Sequence, residues 1–137
     1  MKMINSNALH GGTFSCTNES LNYPCSNLDD QFLAKRFQST SSSGTVVCVL
    51  SAAATIDAIG HGLTNATSGS IILYSGGPTT YTTVETVTMD LTYDTCLSYP
   101  SSAATSITKI EVVLSTDETY VYLGGVAAGE YYSIDYA

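Results

Sequence analysis

Along most of this chain, apolar residues recur at every second position in short runs, and glycine, proline and clustered hydroxyl residues break the runs apart. Val87, Met89 and Leu91 alternate with Thr86, Thr88, Asp90 and Thr92, and Thr108, Ile110, Val112 and Leu114 bracket Lys109, Glu111 and Val113. Successive side chains on a strand point to opposite faces, so each run reads as a half-buried β-strand. Thr45–Leu50 is a continuous β-branched stretch and reads as a strand buried on both sides or nearly so. Further strands are expected at Thr55–Gly60, at Ser70–Tyr74 before the turn Ser75-Gly76-Gly77-Pro78, at Thr119–Leu123 after the turn Ser115–Glu118, and at Val126–Tyr132. Helical periodicity is confined to Asn27–Ala34, enough for one turn. Many short strands with turn residues between them and no internal repeat define an all-β chain, a sandwich or barrel.

With 137 residues the chain is expected to form one domain, 1–137. Residues 1–7 and 133–137 are expected as loose arms. Twelve acidic and four basic residues give a net charge of −8. That balance argues against nucleic acid, whose phosphates call for clustered Lys and Arg, and against an anionic membrane surface. Eighteen serines and nineteen threonines make the surface polar through hydroxyls. No apolar run approaches the roughly 18 residues of a spanning helix. The opening residues have no apolar core of a signal peptide, so reduced thiols are expected at Cys16, Cys25, Cys48 and Cys96. Cys48 lies within Val46–Leu50 and reads as a small buried residue. Cys16 and Cys25 flank one loop and are the pair expected if any cysteines are oxidised.

The chemistry-bearing residues are few. His10 and His61 are the two histidines, and neither sits in a nucleophile motif; His61, between Gly60 and Gly62, reads as a loop-end histidine bonded to backbone. Asp29-Asp30 and Asp117-Glu118 are adjacent carboxylate pairs, whose side chains diverge and read as solvated turn acids rather than a glycosidase pair. No catalytic residue is assigned and no enzyme activity is expected. There are ten tyrosines and no tryptophan. Tyr120 and Tyr122 are expected on one strand face, suiting a sugar-stacking platform or a subunit contact. Together with Tyr131 and Tyr132 they form the candidate interaction surface.

Six segments, in order, resemble the discoidin-type, galactose-binding-like jelly rolls of tailed-phage virion proteins. They are Asn22-Tyr23-Pro24-Cys25-Ser26-Asn27-Leu28-Asp29-Asp30, Arg36-Phe37-Gln38-Ser39-Thr40, Thr45–Leu50, Thr55–Thr64, Ile71–Tyr74 and the closing run Tyr120–Tyr132. Phe37 stands where that family has Trp, Asp30 where it has a turn glycine, and Gly125 where it has a basic residue. Residues 79–106 match no part of the pattern.

The resemblance implies an antiparallel β-sandwich of jelly-roll type with about eight strands. It implies a non-enzymatic virion component, foremost a capsid decoration or cement protein. The alternatives are a tail-associated protein and a carbohydrate-binding module for attachment to a host surface. Partners would then be the major capsid protein, tail proteins, further copies of the chain, or glycans, in a virion assembled in the host cytoplasm. Many modules of this type hold a structural calcium in the loop corresponding to Asp29 and Asp30; otherwise no cofactor is implied. Locally, Tyr23-Pro24 fixes an extended approach to that loop, and Phe37 is expected to fill the core beneath it. Gly124, Gly125 and Gly129 are expected to let a strand pass from one sheet to the other.

Overall fold

The computed structural model describes residues 2–4, 6–29, 35–93 and 95–133. Eleven strands follow the sequence: β1 (Lys2–Ile4), β2 (Thr13–Cys16), β3 (Phe37–Gln38), β4 (Ser43–Ile56), β5 (Ala58–Thr64), β6 (Ser68–Gly76), β7 (Tyr81–Thr88), β8 (Thr95–Ser98), β9 (Ala104–Ser115), β10 (Tyr122–Gly129) and β11 (Tyr131–Ser133). A 3-10 turn over Cys25–Asp29 is all that the described part of the Asn27–Ala34 segment contributes. Residues 30–34 and 134–137 lie outside the described residues.

Two antiparallel sheets face each other. One has the order β2-β4-β9-β6-β7 and the other β3-β10-β5-β8. Register builds the core in rows. Val46 pairs with Val112, Val112 with Ile71, and Ile71 with Val87, so one apolar side chain from each of four strands lies in line. The next row is Cys48, Ile110 and Leu73. All seven are buried, and Phe37, Ile59, Leu123, Val126 and Ala128 meet them from the opposite sheet. This is the all-β jelly-roll sandwich expected, with the period-two pattern placing one residue in two inside.

Four local expectations change. Thr45–Leu50 is buried on one face, not both: Val46, Cys48 and Leu50 point inward, whereas Val49 is exposed. A two-layer sandwich has a single core, so the outer face of β4 remains open. Thr55–Gly60 is not one strand; the chain changes sheets at Asp57, where β4 ends and β5 begins. Its backbone N–H donates to the Gly129 carbonyl (3.1 Å) and its Oδ1 accepts the Tyr131 N–H (2.8 Å), fixing the corner. The two strands expected over 119–132 are instead β10, with Tyr120 ahead of it, and the short β11. Finally, Gly124 and Gly125 lie inside β10, which stays in the four-stranded sheet, and only Gly129 stands where the chain leaves that sheet for β11. A Cβ on Gly124 would lie 2.6 Å from Cβ of Leu63, itself left-handed at φ 50°.

The first residues are not a free arm. β1 pairs antiparallel with β11, Lys2 to Ser133 through Ile4 to Tyr131. The Ile4 side chain lies over Gly60 and Gly129, where any larger residue on β5 or β10 would displace it.

Candidate functional site

Where β3 meets β10 the sheet ends in a cluster of polar and aromatic side chains. Register sets Tyr122 against Gln38 and Leu123 against Phe37. Phe37 and Leu123 are fully buried, so their neighbours Arg36 and Tyr122 emerge on the surface. The Arg36 guanidinium sits 4.4 Å from the Tyr122 ring centroid and 5.1 Å from that of Tyr23. Its Nη2 donates to Gln38 Oε1 at 2.8 Å, and Asn27 Nδ2 holds the Arg36 carbonyl at 2.9 Å. The cation is thus held against two phenol rings and a side-chain amide, in half-buried contacts each worth about 0.5–2 kcal/mol.

Asn65 extends this cluster. Its Oδ1 accepts the Tyr122 N–H (2.9 Å), and its Nδ2 donates to the Tyr120 carbonyl (2.8 Å) and to Glu118 Oε2 (3.2 Å). Buried Thr116 donates its hydroxyl to the Asn65 carbonyl at 2.8 Å. Val121 points into the core, and the rings on either side of it, Tyr120 and Tyr122, turn outward. Tyr23 and Tyr120 are 38% and 39% exposed, so ring surface is open to a ligand. Aromatic faces beside fixed amide, carboxylate and guanidinium groups are the elements of a sugar-recognition surface.

The four tyrosines expected to form one surface are split by the fold. Tyr120 and Tyr122 stand at the start of β10, whereas Tyr131 and Tyr132 lie on β11 beyond its far end, roughly 25–30 Å away along the strand. Tyr131 packs edge-on against Tyr99, with centroids 5.5 Å apart. Tyr23, Arg36, Gln38 and Asn65 were not among the expected site residues. A second cation–phenol group, Lys109 Nζ at 4.1 Å from both the Tyr74 and Tyr81 rings, lies on the five-stranded sheet. There the Tyr74 hydroxyl already donates to Glu111 (3.1 Å).

His61 is not at a loop end. It lies within β5, 3% exposed, and its Nε2 is 3.2 Å from Ser98 Oγ, a side chain rather than backbone. Its glycine neighbours, which read as loop signals, sit within the strand. Ser98 Oγ also accepts the Asp90 N–H (2.9 Å), while the Asp90 carboxylate accepts from Thr92 N–H and Oγ1–H. A serine, a histidine and an aspartate are therefore close, yet among the described residues no acid orients Nδ1 and no hydrogen-bond partner meets it, and Ser98 is itself buried. That arrangement lacks the relay and the access of a nucleophilic triad. Burial pushes the His61 pKa down, with the Asp90 charge opposing in part, so the ring is held neutral.

At Asp29, Oδ1 accepts the Gly11 N–H (3.0 Å) and lies 3.7 Å from the His10 ring nitrogen. Asp30 lies outside the described residues. All four cysteines are thiols. Burial raises Cys48 to about 12 and raises Cys25 as well.

No known family's sequence pattern matches this chain, and no curated protein matches it. Solved structures do. Chitosan-binding module 1 of a chitosanase/glucanase from Paenibacillus sp. IK-5 superposes with a TM-score of 0.75 at 17% identity, covering 92% of this chain and 100% of that one. The family 32 carbohydrate-binding module of C. perfringens NanJ, determined in complex with galactose, gives 0.71 at 12% identity over 96% and 100%. A Ruminococcus gnavus GH29 fucosidase in complex with fucose gives 0.73 at 14% identity over 91% of this chain, which spans 26% of the fucosidase. The fold is the galactose-binding-like, discoidin-type jelly roll.

Proposed function

We propose that this protein is a non-catalytic glycan-binding module whose ligand lies on Tyr23, Arg36 and Tyr122, with Tyr120, Asn65 and Glu118 at the rim. The observation that carries this reading is the half-buried guanidinium of Arg36 held against two tyrosine rings where β3 meets β10. Ring faces offer an apolar surface to the C–H face of a sugar, and the guanidinium and amide offer directed hydrogen bonds to its hydroxyls. With these rings already held, little side-chain freedom is lost on binding. The sugar-binding modules that share this fold support the same reading.

The net charge of −8 disfavours acidic glycans, so neutral and amino sugars are the ligand class we assign. A virion component, the reading implied by the motif resemblance, draws no support from these neighbours, which favour its carbohydrate-binding alternative. Attachment to a host surface would use the same site.

A glycan array spanning neutral, amino and acidic sugars tests this. Binding is expected among the neutral or amino members, and Arg36→Ala is expected to weaken it at least about tenfold, or 1.4 kcal/mol. A blank array, or an Arg36→Ala protein that binds as before, would overturn the proposal.

A further inference from the structure

Between the end of β2 and the 3-10 turn, three soft and anionic ligand atoms converge. The Sγ atoms of Cys16 and Cys25 and a carboxylate oxygen of Glu19 all lie within 4.8 Å of one another. Cys16 Sγ–H donates to Glu19 Oε2 at 2.8 Å, and the same oxygen accepts the Cys25 N–H at 2.9 Å. Cys25 is 3% exposed, whereas Cys16 is half-buried and Glu19 exposed, so the cluster is closed on one side and open on the other.

The backbone beneath the cluster is fixed. Thr17 N–H donates to the Thr45 carbonyl (3.0 Å), Ser20 N–H to the Gln38 carbonyl (2.9 Å), and Gln38 N–H to the Tyr23 carbonyl (3.0 Å). The loop is thereby tied to β3 and β4 without help from the three side chains. Its ligands come from two elements and the turn between them, so their convergence follows from the fold and not from adjacency in sequence.

We infer that Cys16, Glu19 and Cys25 form a binding site for a thiophilic divalent cation of the zinc class. Thiolate sulfur and carboxylate oxygen are both zinc ligands, and water on the exposed side would complete a tetrahedron. Two zinc–sulfur bonds of about 2.3 Å place their sulfurs roughly 3.7 Å apart, within reach of small side-chain rotations from the spacing present. On binding, two Sγ–metal bonds form and two thiol protons pass to solvent. The ion would staple β2 to the 3-10 turn and stiffen the loop that carries Tyr23. The site itself is independent of the glycan reading.

The probe is Co²⁺ added to the fully reduced protein without oxygen, followed by displacement with Zn²⁺. One equivalent is expected to give thiolate-to-metal charge-transfer absorption and tetrahedral visible bands, both lost on adding Zn²⁺, with Zn²⁺ raising the thermal midpoint. Cys25→Ser is expected to abolish the thiolate band, and Glu19→Gln to weaken Zn²⁺ binding by at least about tenfold. Should Cys25→Ser not fold, Cys16→Ser, at the more accessible sulfur, gives the same loss. Absence of the thiolate band in the native reduced protein would overturn the inference. So would a band that survives Cys16→Ser, or a Cys16–Cys25 disulfide that after reduction takes up no metal.

Discussion

His61 shows how a residue can be misread in both place and partner: it lies within a strand, and its ring meets the Ser98 hydroxyl, not backbone. Flanking glycines suggested a loop, but Gly60 lies within β5 because a Cβ there would meet the Ile4 and Leu97 side chains at 3.3 Å. No signal in one sequence distinguishes a glycine that turns the chain from one that lets another segment lie close. Phe37, by contrast, was legible: an aromatic residue just beyond a Tyr-Pro loop had to fill the space beneath it, and it is fully buried. The buried neutral imidazole has a consequence for pH. Its folded pKa lies below the usual value of about 6.5, so acid protonates the unfolded chain first. The resulting stability is present above about pH 6.5 and is lost as pH falls toward the folded pKa. Urea midpoints taken from about pH 7.5 down to about pH 5.5 are expected to decline in the native protein, and to decline less in His61→Gln. Equal slopes would show that His61 takes up its proton at the same pH in the folded and unfolded chain.

At the level of strands, alternation located the inward faces of β4, β6 and β9, because a one-residue slip would turn each row of valines and isoleucines to solvent. Where the strands stop was less visible. β10 absorbs a stretch that reads as two runs, since a diglycine looks like a turn until a partner strand lies against it. The candidate cluster was half legible: Tyr122 stood out as an aromatic on a strand face, but Tyr23, Arg36 and Asn65 come from three distant segments that only register brings together. Gly124 tests the close approach of β5 and β10. A methyl group there would press on Leu63, which is already left-handed and has little room to yield. Gly124→Ala is expected to cost about 1–3 kcal/mol, read as a lower urea midpoint at unchanged slope. An unchanged midpoint would mean that β5 moves aside freely.

Taken as a whole, the molecule holds its first strand against its last described one, with Ile4 laid across small residues of β5 and β10. Removing residues 1–6 would bare Gly60, Gly129 and the edge of β11. We expect a loss of about 1–2 kcal/mol, lowering the thermal midpoint by roughly 3–8 °C, while the distant Arg36 cluster keeps its affinity. Loss of binding along with stability would tie the two ends together more tightly than the fold suggests. The pairing of β1 with β11 also decides how the module can be mounted. Polypeptide leading in and out leaves side by side, at the opposite pole from the aromatic clamp. Spliced into a longer protein or hung on a flexible stalk, such a unit would point the aromatic clamp outward and keep its attachment out of the way. Several copies strung together could then all engage one polysaccharide at once, so that weak individual grips add up to firm adhesion.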